Sequence, residues 1–222
     1  MAENQPLQAR LPVLPRWPVT IAAGPVELRP MRRRDRVVWE AIRARNRAWH
    51  GPWDATPPAG HGGDVPANFN AMIRSFDQAA RGGTILPWFV WFAPDWPASS
   101  ADVLAGQLTV SGIAYGSARW GQVGYWVDER WAGRGIIPTA VALASDYCFQ
   151  VLGLHRIEIA IRPENAKSLG VVEKLGFRHE GRRARYLHID GDWRDHEMFA
   201  LHAEEIGESG LLGRLPAPRT GA

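Results

Sequence analysis

One cysteine, Cys148, stands in a chain of 222 residues, so no intrachain disulfide can form. No apolar run approaches the ~20 residues that a membrane-spanning helix requires. The amino terminus also lacks a basic start followed by an apolar stretch of the secretory type. Together these absences predict a cytoplasmic chain with no membrane partner. His50 and His61 have no second ligand at a characteristic spacing, which gives no reason to expect a metal. Internal repeats and coiled-coil heptads are missing too. Charge of either sign is modest: 26 basic against 23 acidic residues leave a net +3. That balance suits a polyanionic ligand or ribosomal surroundings without demanding direct nucleic-acid binding. With 45% hydrophobic content the chain can bury one full core. Monomer and homodimer are both compatible with it.

What is present is concentrated in residues 123–150. A short buried strand over 122–127 precedes a tight loop carrying Gly133 and Gly135, and a helix opens near Ile136. A helix start leaves four backbone N–H groups without intrahelical partners and carries about half a positive charge. Strand, glycine loop and helix in that order therefore build a site for a phosphate. The two glycines allow close backbone approach and unusual dihedrals, while Arg130 and Arg134 add charge-assisted donors. Pro138 fits a first turn, where its missing N–H costs nothing. Ile137, Ala140, Val141, Ala144, Cys148 and Val151 recur at helical spacing as one apolar face, which casts Cys148 as a packing residue. A dinucleotide fingerprint is the rival reading, with Glu158 as its ribose acid. Against it, proline occupies the place of the third glycine, which would let the helix close on the strand.

The remaining elements follow from pattern. Residues 1–24 carry prolines at 6, 12, 15 and 18 and read as an extended arm lying on the domain through Leu14 and Trp17. Residues 26–29 alternate as a first strand. Residues 33–46 read as a helix with Val37, Val38, Ala41 and Ile42 inward. The run Arg32, Arg33, Arg34 and Arg36 is either its solvated start or a docking patch. In the loop over 47–65, Trp49 and Trp53 must pack on the domain or line a pocket. A second helix over 67–81 shows the stripe Phe69, Met72, Ile73 and Phe76. Strands follow at 88–92 and 103–111, then a loop over 112–120. Residues 156–161 alternate, with isoleucines on one face and Glu158 on the other. A short helix over 165–174 leads to an antiparallel pair, 177–186 and 193–201. The tail over 204–222 reads as flexible.

Arg130, Gly133 and Gly135 in the pattern Arg-x-x-Gly-x-Gly, followed by Asn165-x-x-Ser168 and Leu175-Gly176-Phe177, resemble the GNAT superfamily of N-acetyltransferases. Gly124-Tyr125-Trp126-Val127, Arg162-Pro163-Glu164-Asn165, Glu173-Lys174-Leu175-Gly176-Phe177 and Gly191-Asp192-Trp193-Arg194-Asp195-His196 are most similar to RimJ-type ribosomal-protein alanine N-acetyltransferases. The likeness covers residues 25–203. It implies an α/β (α+β) domain whose mixed, mostly antiparallel sheet is splayed at the acetyl-CoA site and flanked by helices. It also implies acetyl-CoA as cosubstrate and an amine as acceptor, foremost the N-terminal α-amine of a ribosomal or other protein. The alternatives are a small amine (polyamine or antibiotic) and a non-catalytic acyl-CoA-binding sensor. Acidic cleft residues would favour a cationic small molecule, and an open groove lined by Trp49 and Trp53 a peptide end.

By the same resemblance the donor rests on Trp126, Val127, Arg130, Gly133, Arg134, Gly135 and Ile136, with Asn165 and Ser168 across from them. A backbone N–H near Val127 would steady the oxyanion. Trp49, Trp53, Asp54 and Tyr186 would surround the acceptor. Glu158 is the first candidate for the general base, and its other reading is a charge paired to a neighbouring arginine. Asp54, Tyr186 and His188 stand behind it. Many members place a tyrosine acid on the helix after the asparagine; that place is Val172 here, and Ser168 is the nearest hydroxyl.

Overall fold

A computed structural model describes residues 17–61, 66–99 and 102–216. Its strands are β1 (Ile21–Ala23), β2 (Val26–Pro30), β3 (Leu86–Phe92), β4 (Val103–Ala114), β5 (Trp120–Val127), β6 (Arg156–Ile161), β7 (Arg178–Ile189) and β8 (Asp192–His202). They form one sheet in the order β1-β2-β3-β4-β5-β6-β8-β7, antiparallel throughout except at β5 and β6. Those two run parallel for three rungs only, Trp120 with Arg156, Gly121 with Ile157 and Gln122 with Glu158. Beyond Gln122, β5 stays on β4 out to Val127, while β6 stays on β8 out to Ile161. The two strands therefore part toward their C-terminal ends and leave a wedge in the middle of the sheet.

Side-chain alternation assigns the faces. Leu108, Val110, Val123, Ile157, Ile159 and Ile161 join the larger core with α4 (Ile136–Asp146) and α5 (Ala166–Leu175). On the opposite face Phe89 and Leu104 meet Ile42 of α1 (Arg36–Arg45) and Phe69 and Ile73 of α3 (Phe69–Arg81). Fully burying each such side chain contributes about 1.5–3 kcal/mol, so the sheet is held from both sides. A short helix, α2 (Arg47–His50), follows α1 directly. Asn68 caps α3 by accepting from the Ala71 amide at 3.0 Å, which moves its start from the expected 67 to 69. No helix among the described residues is long and apolar enough to cross a membrane.

Several expectations are corrected. The helix over 33–46 divides into a 3-10 turn, Arg33–Asp35, and α1. Its inward face is Asp35, Trp39, Ile42 and Asn46, which leaves Val37 75% exposed and Val38 and Ala41 also outside. Polar anchors set this phase: the Asp35 carboxylate accepts from the Arg32 amide at 2.9 Å, and Asn46 is buried in hydrogen bonds. The arm includes strand β1, and Trp17 is buried against Trp88 with ring centroids 5.8 Å apart. Leu14 and the prolines at 6, 12 and 15 lie outside the described residues. β4 runs on to Ala114, which shortens the loop expected over 112–120.

Helix α4 is apolar and buried on every side rather than on one face. Its outer side is covered by the segment read as a flexible tail. Asp146 accepts from the amides of Leu211 and Leu212 at 2.7 and 3.1 Å, Leu211 is fully buried, and Arg214 donates to the Leu175 carbonyl at 2.6 Å. Residues 217–222 lie outside the described residues. After Asp146 the helix widens into a π turn, Tyr147–Val151, which shifts the phase and turns Val151 outward while Cys148 stays buried. Leu211→Ala is expected to lower the unfolding free energy by about 2–5 kcal/mol, the range for emptying a buried leucine site. A urea midpoint equal to that of the parent chain would detach the tail from the core.

Candidate active site

Past Val127 the chain makes a 3-10 turn, Glu129–Trp131, and reaches α4 through Gly133 and Gly135. Both glycines have left-handed φ, +79° and +78°, a region that costs other L-residues about 1–2 kcal/mol. A Cβ built on either would meet no atom within 4 Å. Backbone conformation, rather than contact with the rest of the chain, demands glycine here. Gly135 is the N-cap of α4 and offers no side chain to cap it. Thr139 donates its amide to the Gly135 carbonyl at 3.1 Å. The amides of Gly133, Arg134, Gly135, Ile136 and Ile137 donate to no described residue. Consecutive bare N–H groups thus point outward from the positive end of a helix dipole. The Arg134 guanidinium lies over the Trp131 ring, 5.0 Å from its centroid, and the buried Trp131 indole N–H has no partner among the described residues.

The loop is held by Asp128, whose side chain has no exposed surface. Arg45 reaches its Oδ2 at 2.5 Å, Arg130 reaches the same atom at 2.9 Å, and Asn46 donates to Oδ1 at 3.0 Å. Burial alone would raise the pKa of this carboxyl, but the hydrogen bonds from Arg45, Arg130 and Asn46 outweigh it and hold the group well below the usual carboxylate range. Arg130, expected on the cofactor, is thereby anchored at the mouth of the loop with its side chain 60% exposed.

The wedge has two walls. Just past β5 the Asp128 amide donates to the Ala105 carbonyl on β4 at 2.8 Å, so alternation turns the amide and carbonyl of Val127 the other way, into the wedge. That carbonyl accepts from Trp49 Nε1 at 3.2 Å and from His50 Nε2 at 2.9 Å. Because Arg43 can only donate to His50 Nδ1, at 3.0 Å, the ring is the neutral Nε2–H tautomer. Burial, assisted by Arg43, lowers its pKa. Trp126 turns to the α1–α3 face, with His50 5.0 Å away and Arg43 over its ring, so its side chain lies apart from the bare amides. Across the wedge, Asn165 caps α5 by accepting from the Ser168 amide at 3.1 Å. Lys167 sits over Trp49 at 3.8 Å. Beside Ser168 stands the buried hydroxyl of Tyr125, which meets hydrogen-bond geometry with no described partner.

The face of β6, β8 and β7 opposite α4 carries the other candidates. Glu158 stands at the last paired rung, bonded to Arg156 at 2.7 Å and 3.9 Å from Arg183. Tyr186 lies in a bulge of β7, with Arg183 over its ring and His196 edge-on at 5.9 Å. His196 is buried; its Nδ1 donates to the Arg194 carbonyl at 3.0 Å, which leaves Nε2 with the lone pair. Asp54 pairs with Arg43 at 2.5 Å, and Arg162 lies over Trp53. His188 bonds to Thr56, and the Asp54 carbonyl accepts from Asp190, so the loop after α2 is strapped to the β7–β8 turn. Among the described residues no cluster of three or more His, Cys, Asp or Glu is placed to hold a metal ion.

Bare amides, a left-handed glycine pair and nearby guanidinium groups fit the diphosphate of a nucleotide thioester, and the wedge behind them fits its extended arm. Comparison with known proteins agrees. The acetyltransferase (GNAT) domain matches residues 26–178. A probable N-acetyltransferase of Bacillus subtilis is 39% identical over 103 residues, 46% of this chain, and the match spans 57% of that relative's length. A ribosomal protein uS5-alanine N-acetyltransferase of Escherichia coli is 30% identical over 169 residues, 75% of this chain and 83% of the relative. Mycobacterium smegmatis RimJ, solved in complex with CoA-disulfide, superposes with a TM-score of 0.78 at 35% identity, covering 90% of this chain and 94% of that one.

Sequence patterns missed Asp128, Tyr125 and His196. The partners of Asp128, Arg45 and Asn46, are 83 and 82 residues away, beyond any local signal. Asp128→Asn is expected to cost about 2–4 kcal/mol, somewhat below the 3–5 of a fully buried pair because the two guanidinium tips reach solvent. Since the folded pKa is depressed, this stability is present above the ordinary carboxylate value near ~3.9 and is lost as pH falls from there toward the folded value. Denaturation of both proteins across acid pH checks it: their stability difference should shrink as pH drops.

Proposed function

Because the chain belongs to the GNAT acetyltransferase family and is an acetyl-CoA-dependent N-acetyltransferase, we propose that its acceptor is the N-terminal α-amine of a protein, with ribosomal-protein termini the first to test. The observation that carries the donor side is the row of bare amides from Gly133 to Ile137. These, with Arg134, hold the diphosphate. Asn165 spends its oxygen on the Ser168 amide and keeps its NH2 group for the pantetheine arm. The Val127 amide, turned into the wedge, supports the oxyanion as the amine adds to the acetyl carbon.

Chemistry at the nitrogen favours an α-amine. With a pKa of about 7.7–8.0 it is roughly 10% neutral at pH 7, against ~0.04% for lysine near 10.4. That gap is worth ~3.4 kcal/mol, which the site need not supply by desolvation. Support for a protein terminus comes from the uS5-alanine relative. Trp49 and Trp53 flank the entry as rigid, apolar walls.

For the base, geometry favours His196 over Glu158. Glu158 is engaged by Arg156 and lies at the closed end of the wedge. His196 shares the face of Ala200, the rung partner of Glu158, but stands four residues further along β8, about 13 Å nearer the open end. Burial, with Arg162 pushing the same way and Asp195 and Glu164 opposing, lowers its pKa from 6.5 and keeps it neutral at pH 7.

Gly135→Ala, which strains φ and covers the amides, should weaken CoA binding at least about tenfold by calorimetry. Affinity equal to that of the parent would remove the glycine turn from the donor site. His196→Gln should lower kcat about a hundredfold, in the range for a lost general base. It should also abolish the acid-side fall in kcat, which in the parent is displaced to a pH beneath the ordinary histidine value of ~6.5 because burial delays protonation of His196. Thiol release with Ala-, Ser- and Lys-starting peptides and with polyamines identifies the acceptor; a preference for polyamines would overturn the protein-terminus reading.

A further inference from the structure

Arg194 takes no part in the chemistry described so far, yet its Nε is buried and has no hydrogen-bond partner among the described residues. The residue lies on the same face of β8 as His196, two positions nearer the β7–β8 turn and so about 7 Å further out along the strand. Its Nη1 stands 3.5 Å from Asp192, one oxygen of which is already taken by the Trp193 amide at 2.8 Å. Leu187, its rung partner on β7, has no acceptor in its side chain. Neighbouring guanidinium groups are spent: Arg156 on Glu158 and Glu180, and Arg162 on Glu164 and the Pro52 carbonyl. A charged donor that the fold buries and leaves unbonded has lost its water for nothing, a deficit that an incoming acceptor can make good.

We propose that Arg194 reads the second residue of the acceptor protein and selects an acidic side chain there. The inference rests on the protein-terminus reading, with His196 beside the reacting amine. An extended chain spans about 3.3–3.6 Å per residue, so an acceptor whose amine nitrogen lies at His196 carries the side chain of its second residue about 7 Å outward, level with Arg194. A guanidinium is a planar fork whose Nε–H and adjoining Nη–H point in parallel and match the two oxygens of one carboxylate. Asp192 meets this fork from the Nη1 side, which leaves the Nε side for the ligand. A carboxylate placed there forms charge-assisted bonds, roughly twice as strong as neutral ones. Glutamine at the same place offers a single neutral oxygen. Lysine meets like charge from Arg194 and from Arg183, which pairs with His196 across the strands.

The test uses the full chain, acetyl-CoA and three peptides that begin Ala-Glu, Ala-Gln and Ala-Lys and are otherwise identical. With the parent protein, kcat/KM for the Ala-Glu peptide should exceed that for Ala-Gln by about tenfold or more, and that for Ala-Lys by a wider margin, with the difference in the peptide KM. Arg194→Gln should bring the Ala-Glu peptide down to the Ala-Gln value of the same variant. Arg194→Glu should reverse the order, so that Ala-Lys becomes the better substrate. Each comparison is a ratio within one preparation, so a smaller folded fraction leaves it unaltered, and the ratio in the parent decides even where a variant fails to fold. Equal kcat/KM for the Ala-Glu and Ala-Gln peptides in the parent, or a preference that survives Arg194→Gln, would overturn the proposal while leaving the protein-terminus reading intact. A parent protein that acetylates polyamines and none of the three peptides would overturn both.

Discussion

A carboxylate with no exposed surface sets the geometry of the whole site. Asp128 follows directly on β5 and must remain ionised where water does not reach it. Isolated, it would be too costly to bury. Arg45 and Asn46 from the end of α1 and Arg130 from the following turn supply the compensation. Asn46 returns the tie, accepting from the Glu129 amide at 2.9 Å and donating to the Ile42 carbonyl at 2.9 Å. One charge thereby locks the end of a helix, the tip of the central strand and the entry to the glycine turn. The bare amides of α4 hold their direction because the segment that delivers them cannot shift without exposing or orphaning that charge.

The second constraint is the short parallel pairing of β5 and β6. Three rungs suffice to hold the strands together at one end. Past them each follows a different antiparallel partner, β4 or β8, and the two partners draw the tips apart. Backbone groups facing the gap are left for side chains or ligands. Trp49 and His50 take the Val127 carbonyl, and the Val127 amide beside it remains turned into the gap. The loop bearing Trp49 and Trp53 is strapped to the β7–β8 turn through Asp54 and Thr56, so one side of the mouth is closed by structure.

Much of this was legible in the sequence, and the reasons differ by element. Glycines 133 and 135 announce themselves because left-handed φ is a local demand, and the isoleucines of β6 because a half-buried strand alternates. Val37 and Val38 misled because the phase of α1 is set by Asp35 and Asn46, whose partners are polar, rather than by the more hydrophobic pair. Residues 204–216 look like a loose tail in composition. Their order depends on Asp146, a buried carboxylate at the far end of α4 that only the folded chain brings within reach of the Leu211 and Leu212 amides. The placing of the Tyr125 hydroxyl beside Ser168 had no signal at all, since the two meet only across the folded wedge.

Charge around the acceptor mouth bears on which amine the wedge receives. Most acids near it are already engaged: Asp54 by Arg43, Glu158 by Arg156 and Arg183, Glu164 by Arg162, and Glu180 by Arg156 and Arg178, while Asp195 accepts from the Arg185 amide. The cations nearest the entry, Lys167 and Arg162, rest on the faces of Trp49 and Trp53. A polycation would find Asp195 alone without an ion pair among the described acids near His196, and would meet these positive groups on the way in. A peptide end carries one amine, which reaches the neutral state at modest cost, and a backbone that hydrogen-bonds without net charge. Aromatic walls whose cations are held in place favour such a chain end over a diffuse charge, and under the proposed function a neutral His196 at the open end is the group that would accept the single proton the nitrogen must lose.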